Sequence, residues 1–255
     1  MTVYDIVDVA VAPPKIFEAD LVKKVAATVN KDLYTTRLLL AGKIPRIIAH
    51  YQTMQEAQSV AYDLRALGLV ALVFSDSELH KTFPSSFRAH TLKLGKGEVI
   101  FLSRGGESKT MNADDVFLIL KGTIQTTPEK ETAKTRKELN LAATLLTGGI
   151  PIWRKVREKT KDASIQTEDF VRLYDRMSPG PSVEIYQFDF DYSFLGYRLA
   201  SSSLVNLSKI VMSLRSTFPQ AIFDYTLTAP FDDTEVNCRL IYLYHQAVSG
   251  FSPLA

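Results

Sequence analysis

Cysteine is nearly absent: the 255 residues contain only Cys238. That excludes an intrachain disulfide framework and fits a reducing compartment, with Cys238 expected as a small buried apolar residue. Long apolar runs are missing too. No stretch reaches the roughly 18 apolar residues of a spanning helix. The acidic start has neither the basic residues nor the apolar core of a signal peptide. These absences predict a cytoplasmic protein without an integral membrane segment. Charge of one sign is scarce: 30 Lys and Arg against 28 Asp and Glu leave a formal net charge of +2. Nucleic acid demands a concentrated basic face, so it is not expected as a partner. His50, His80, His90 and His245 stand apart, with no HxxxH or CxxC company to hold zinc. No GK[ST] follows Gly105-Gly106, which argues against a phosphate-cradling loop. No cofactor and no bound metal are expected.

What is present begins with local order. Thr53 and Glu56 have capping-box spacing. Ala57, Val60, Ala61, Leu64 and Leu67 recur at helical spacing behind them, and Gly68 stands where a left-handed residue ends a helix. Leu69 to Phe74 reads as a buried strand. Upstream, Val3 to Ala12 reads as a strand stopped by Pro13-Pro14, and Ile16 to Val29 and Leu33 to Ala41 read as helices. Ile47-Ile48-Ala49 is a brief apolar segment after Pro45. The order expected for this part is strand, helix, helix, helix, strand.

In that order, the segments YDIVDVAV, EADLVKKVAATVNKD, LYTTRLLLAGKIPRII, TMQEAQSVAYDLRALG and LVALVF resemble the C-terminal domain of the bacterial ribosomal stalk protein and the related protease-adaptor fold. The resemblance implies a small α/β sandwich that docks partners. Stalk proteins carry a Gly- and Lys-rich turn before the second helix. Here that turn reads Val29-Asn30-Lys31-Asp32-Leu33-Tyr34, without glycine, so translation-factor binding is not implied. The whole chain also resembles an uncharacterised bacterial family, which implies no activity.

Polar, turn-rich residues from Ser75 to Ser86 mark a boundary. The fold class expected is α+β, in two domains: residues 1–75 as the stalk-like sandwich and 87–255 as an antiparallel meander with C-terminal helices. From Phe87 to Thr126 short strands alternate, with a tight hairpin at Arg104-Gly105-Gly106-Glu107. The meander followed by a helix resembles a pleckstrin-homology-type barrel. A charge-dense region, about 128–182, is expected as a helical insertion, including a short helix at Leu139 to Leu146 and a helical turn or two at Glu168 to Arg176. Val183 to Tyr192 reads as a strand, with Tyr186, Phe188, Phe190 and Tyr192 on its core face and Ile185, Gln187, Asp189 and Asp191 opposite. Leu204 to Leu214 reads as a helix, Ala221 to Leu227 as a strand and Thr234 to Val248 as a closing helix.

Function is the least legible layer. Asp114-Asp115 and Asp232-Asp233 suit turns or helix starts. Asp189 and Asp191, two apart on a strand, are the best catalytic candidates, because one divalent cation can bridge such a pair. No third carboxylate with metal spacing accompanies them, so the first expectation is a non-catalytic protein-interaction protein with an unidentified protein partner. A metal-dependent enzyme using Asp189 and Asp191 is the alternative. The uncharged stretch Leu139–Trp153 supplies the candidate interaction residues Leu145, Ile150, Trp153 and Arg154. It also opens a further alternative, peripheral membrane binding. Self-association stays open.

Overall fold

The computed structural model describes residues 5–79, 86–126, 129–139, 153–163, 166–177, 180–227 and 234–250. The fold is α+β. The chain divides into two compact units: residues 1–124 with 168–255, and residues 125–167.

The first unit opens with β1 (Val7–Val11), α1 (Ala19–Thr28), α2 (Leu33–Leu40), β2 (Arg46–Tyr51), α3 (Met54–Ala66), β3 (Ala71–Ser75) and the short α4 (Asp76–Leu79). The apolar segment around Ile48 is thus a strand, β2, and the expected order lacked it. β2, β1 and β3 form one antiparallel sheet with β1 central. Thr53 caps α3: its hydroxyl oxygen accepts from the Glu56 N–H at 3.2 Å and donates to the Glu56 carboxylate at 2.9 Å. Asp32 caps α2 by accepting from the Thr35 N–H at 2.8 Å. Gly68 ends α3 at φ 83°, and Asn30 follows α1 at φ 51°.

Val7, Val9 and Val11 pack under Val25 of α1 and Ala57, Ala61 and Leu64 of α3. The small residues of α3 allow that close seat. The opposite face, with Ala10, Leu72 and Phe74, is covered by Leu79 and by Leu240 of the last helix.

The rest of this unit comprises β4 (Phe87–Arg88), β5 (Thr91–Leu94), β6 (Glu98–Leu102), β7 (Ser108–Asn112), β8 (Val116–Thr126), β11 (Gln166–Asp175) and β12 (Pro181–Tyr186). A 3-10 helix (Ser193–Arg198), α5 (Ser203–Thr217), β13 (Ile222–Leu227) and α6 (Thr234–Ser249) complete it. β5, β6 and β7 form the expected antiparallel meander. β8 leaves it for a five-stranded sheet ordered β13-β8-β11-β12-β4. In that sheet β13 runs parallel to β8 and β4 parallel to β12. These two parallel pairs make the five-stranded sheet a mixed one.

Both faces of this sheet are buried. Val171, Leu173, Val183 and Ile185 meet α5 and the meander. Phe170, Tyr174, Leu118 and Leu120 meet Cys238, Ile241 and Tyr242 of α6. Helix α6 therefore lies between the two sheets. Among the described residues no helix is long and apolar enough to cross a membrane.

Three expectations are corrected here. Glu168 to Arg176 is not helical: it lies largely in β11, where Phe170 through Tyr174 are all buried because the sheet is covered on both faces. The described parts of the charged insertion are not helical either. β9 (Glu129–Leu139) and β10 (Trp153–Ala163) pair antiparallel from Ala163↔Glu129 to Trp153↔Leu139. Lys, Glu and Arg favour helix intrinsically, but Thr132↔Thr160 and Arg136↔Val156 carry β-branched residues along the ladder. Lastly, the strand over 183–192 stops at Tyr186 and a turn follows, so Phe188 is 59 % exposed rather than in the core.

Gly122 marks the tightest approach in the sheet. An added Cβ would lie 2.7 Å from Phe170 Cζ and 3.0 Å from Leu227 Cδ2. Gly122→Ala is expected to cost about 1–3 kcal/mol, the range for overpacking a filled core. Urea unfolding checks this, and an unchanged midpoint would show that Phe170 swings aside freely.

Candidate functional site

Asp189 sits in the turn after β12, and three basic side chains converge on it. Its carboxylate accepts from Arg88 Nε at 2.8 Å through Oδ2 and from Arg104 Nη2 at 2.8 Å through Oδ1. Its backbone carbonyl lies 2.6 Å from His90 Nδ1. A carbonyl only accepts, so Nδ1 donates this bond. Arg88 comes from β4, His90 from the link to β5, and Arg104 from the β6–β7 turn. With Ser103 and Glu107 they line a cleft of about 640 Å³.

The backbone frame is fixed independently of these side chains. The Ala89 N–H donates to the Glu184 carbonyl at 2.9 Å, the His90 N–H to Leu102 at 2.7 Å, and the Asp191 N–H to the His90 carbonyl at 2.7 Å. The β6–β7 turn closes with Ser103 N–H to the Glu107 carbonyl at 2.9 Å, and Gly106 supplies φ 84°. The Arg88 guanidinium also lies over the Tyr186 ring at 4.6 Å. Arg88 and Arg104 stay 60 % and 74 % exposed, while Asp189 is 27 % exposed.

The two carboxylates of the alternative, metal-dependent reading have separate partners. Asp191 accepts from the backbone N–H and the hydroxyl of Ser193 at 2.9 and 2.8 Å, and these bonds hold its carboxyl below the ordinary value. Among the described residues no group of three or more His, Cys, Asp or Glu is arranged to hold a metal ion. Asp189 was expected on a solvated strand face; the turn after Tyr186 places it against the two arginines instead.

The other predicted residues fall elsewhere. Trp153 and Arg154 open β10, opposite Leu139 and Glu138. Leu145 and Ile150 lie outside the described residues, as does most of the short helix expected over 139–146, whose first residue ends β9. Asp232-Asp233 also lies outside them, while Asp114-Asp115 sits in the turn before β8. Cys238 is buried as expected, and burial pushes its thiol up to about 12, so it is not a thiolate nucleophile near neutral pH. His245 Nε2 lies 2.6 Å from Asp224 Oδ2. Burial pushes the Asp224 carboxyl up, but hydrogen bonds from His245 and Thr226 outweigh it and hold the group low. His50 Nδ1 lies 2.7 Å from Asp8 Oδ1 across the β1–β2 ladder.

Sequence reasoning singled out Asp189 but not the basic residues around it. The signal was slight: Arg88 and His90 two apart, and Arg104 opening a Gly-Gly turn. Comparison of the chain with protein families, with curated proteins and with solved structures finds no match.

Proposed function

We propose that this is a non-catalytic protein-interaction protein that binds its partner at the Asp189 cleft. One observation carries the reading: the Asp189 carboxylate is already committed to two guanidinium groups. The cleft therefore presents unused guanidinium hydrogen-bond donors, not a free base or a metal-ready carboxylate pair. Donors held on a rigid frame and left open to solvent suit recognition of an acidic group.

Phe188, next to Asp189 and exposed, is the natural reporter. Phe188 replaced by the photoreactive p-benzoylphenylalanine is expected to form one discrete protein adduct on irradiation in cells. Arg88→Met with Arg104→Met should abolish it. The same replacement at Tyr62, 72 % exposed on α3, should give none. Adducts at both positions, or an adduct indifferent to the arginine substitutions, would remove the support for the reading.

A further inference from the structure

Resting on the interaction reading above, we infer that the Asp189 cleft receives a carboxylate, carried by an aspartate or glutamate side chain of a protein partner. A guanidinium has five N–H donors in a planar fork. Arg88 gives its Nε–H to Asp189 and keeps the Nη1/Nη2 edge; Arg104 gives one Nη2 hydrogen and keeps Nε and Nη1. Each arginine thus retains donors for a second carboxylate while Asp189 holds it in place. Asp189 acts through the arginines and is a positioning residue.

The exposed ion pairs contribute little to holding the fold together. The backbone around them is already tied by Ala89, His90 and Asp191. Stability alone therefore does not account for three basic side chains gathered on one residue.

Charge selects the ligand class. Two guanidinium groups face the Asp189 carboxylate, and Glu107 lines the same cleft. The charges of Arg88, Arg104, Asp189 and Glu107 formally cancel. A singly charged carboxylate fits the unused donors without a large uncompensated charge. A phosphate monoester brings about −1.5 to −2 at neutral pH, more than this cleft offsets.

The test is a titration of the full chain, followed by amide NMR, with three capped peptides: a triglutamate, a triglutamine and a phosphoserine peptide. The amides of His90, Gly105 and Gly106 are expected to shift saturably with triglutamate and not with triglutamine. Arg88→Met with Arg104→Met should weaken binding by about tenfold or more, the scale of one lost charge-assisted contact. Asp189→Asn removes one negative charge. It should raise affinity for phosphoserine relative to triglutamate, a reversal that a merely structural role would not produce. A parent that prefers phosphoserine tenfold overturns the carboxylate assignment and leaves the interaction reading standing. So does the absence of any shift while the Phe188 adduct still forms. Saturable triglutamate binding with no adduct in cells keeps the carboxylate site and sinks the protein-interaction reading.

Discussion

Arg172→Ala is expected to lower the unfolding free energy by about 3–5 kcal/mol, the range for removing one member of a buried ion pair. Arg172 lies on β11 and is 3 % exposed. Its Nη1 donates to Glu235 at 2.8 Å and its Nη2 to the other oxygen of the same carboxylate. Its Nε lies 2.7 Å from Glu184 Oε1 but off the hydrogen-bond axis, so that contact is ionic rather than well directed. The guanidinium also covers the Phe170 ring at 5.1 Å. Glu184 is 13 % exposed and Glu235 74 %. Removing the arginine therefore strands Glu184 far more than Glu235. Glu235→Gln should cost about 1 kcal/mol or less, since water reaches that carboxylate. Arg172→Met with Glu184→Gln should recover much of the loss, because neither charge is then buried alone. Urea midpoints at constant slope measure all three. A loss in Arg172→Ala as small as that in Glu235→Gln would show that the buried pair carries no weight.

The N-terminal sandwich was readable because its signals are local and agree. The Thr53 cap, the Ala57–Leu64 face and Gly68 lie within sixteen residues of one another, so no distant contact had to be guessed. β2 was missed as an element because its pattern is short. β11 was misread for a different reason. With Phe170 through Tyr174 buried on both faces, alternation disappears and the burial pattern no longer separates strand from helix. The β9–β10 ladder defied helix propensity, which is a weak prior against pairing along eleven-residue strands. Phe188 shows how period-two reasoning fails where a strand ends unannounced: nothing in IYQFDF marks the turn after Tyr186. The candidate site was the hardest to see. Arg88 and Arg104 lie 101 and 85 residues from Asp189 in sequence. Only the pairing of β4 with β12, and the meander that follows β4, bring them to one cleft. A carboxylate pair on a strand invites a metal reading; here arginines remote in sequence occupy one of the two carboxylates.

Tyr242→Ala is the second large effect expected, at about 3–5 kcal/mol for emptying a buried aromatic site. Tyr242 is fully buried on α6, stacked on Tyr174 with ring centroids 5.0 Å apart and edge-on to Phe117 at 6.0 Å. Its hydroxyl accepts from Gln246 Nε2 at 2.9 Å, so Tyr242→Phe should cost only about 0.5–1.5 kcal/mol. Phe188→Ala, at an exposed position, should stay within about 0.5 kcal/mol of the parent. The location of Tyr242 makes the large substitution informative beyond its size. One side of α6 packs Cys238, Ile241 and Tyr242 against the five-stranded sheet, and another packs Leu240 against Ala10, Leu72 and Phe74 of the N-terminal sheet. Weakening α6 should therefore loosen both sheets together. Hydrogen exchange in Tyr242→Ala is expected to show amides of β1 and β8 losing protection by the same free energy. If β8 loses protection while β1 keeps its own, residues 1–75 fold independently of α6, and the two-domain division read from the sequence would describe the energetics better than the shared helix does.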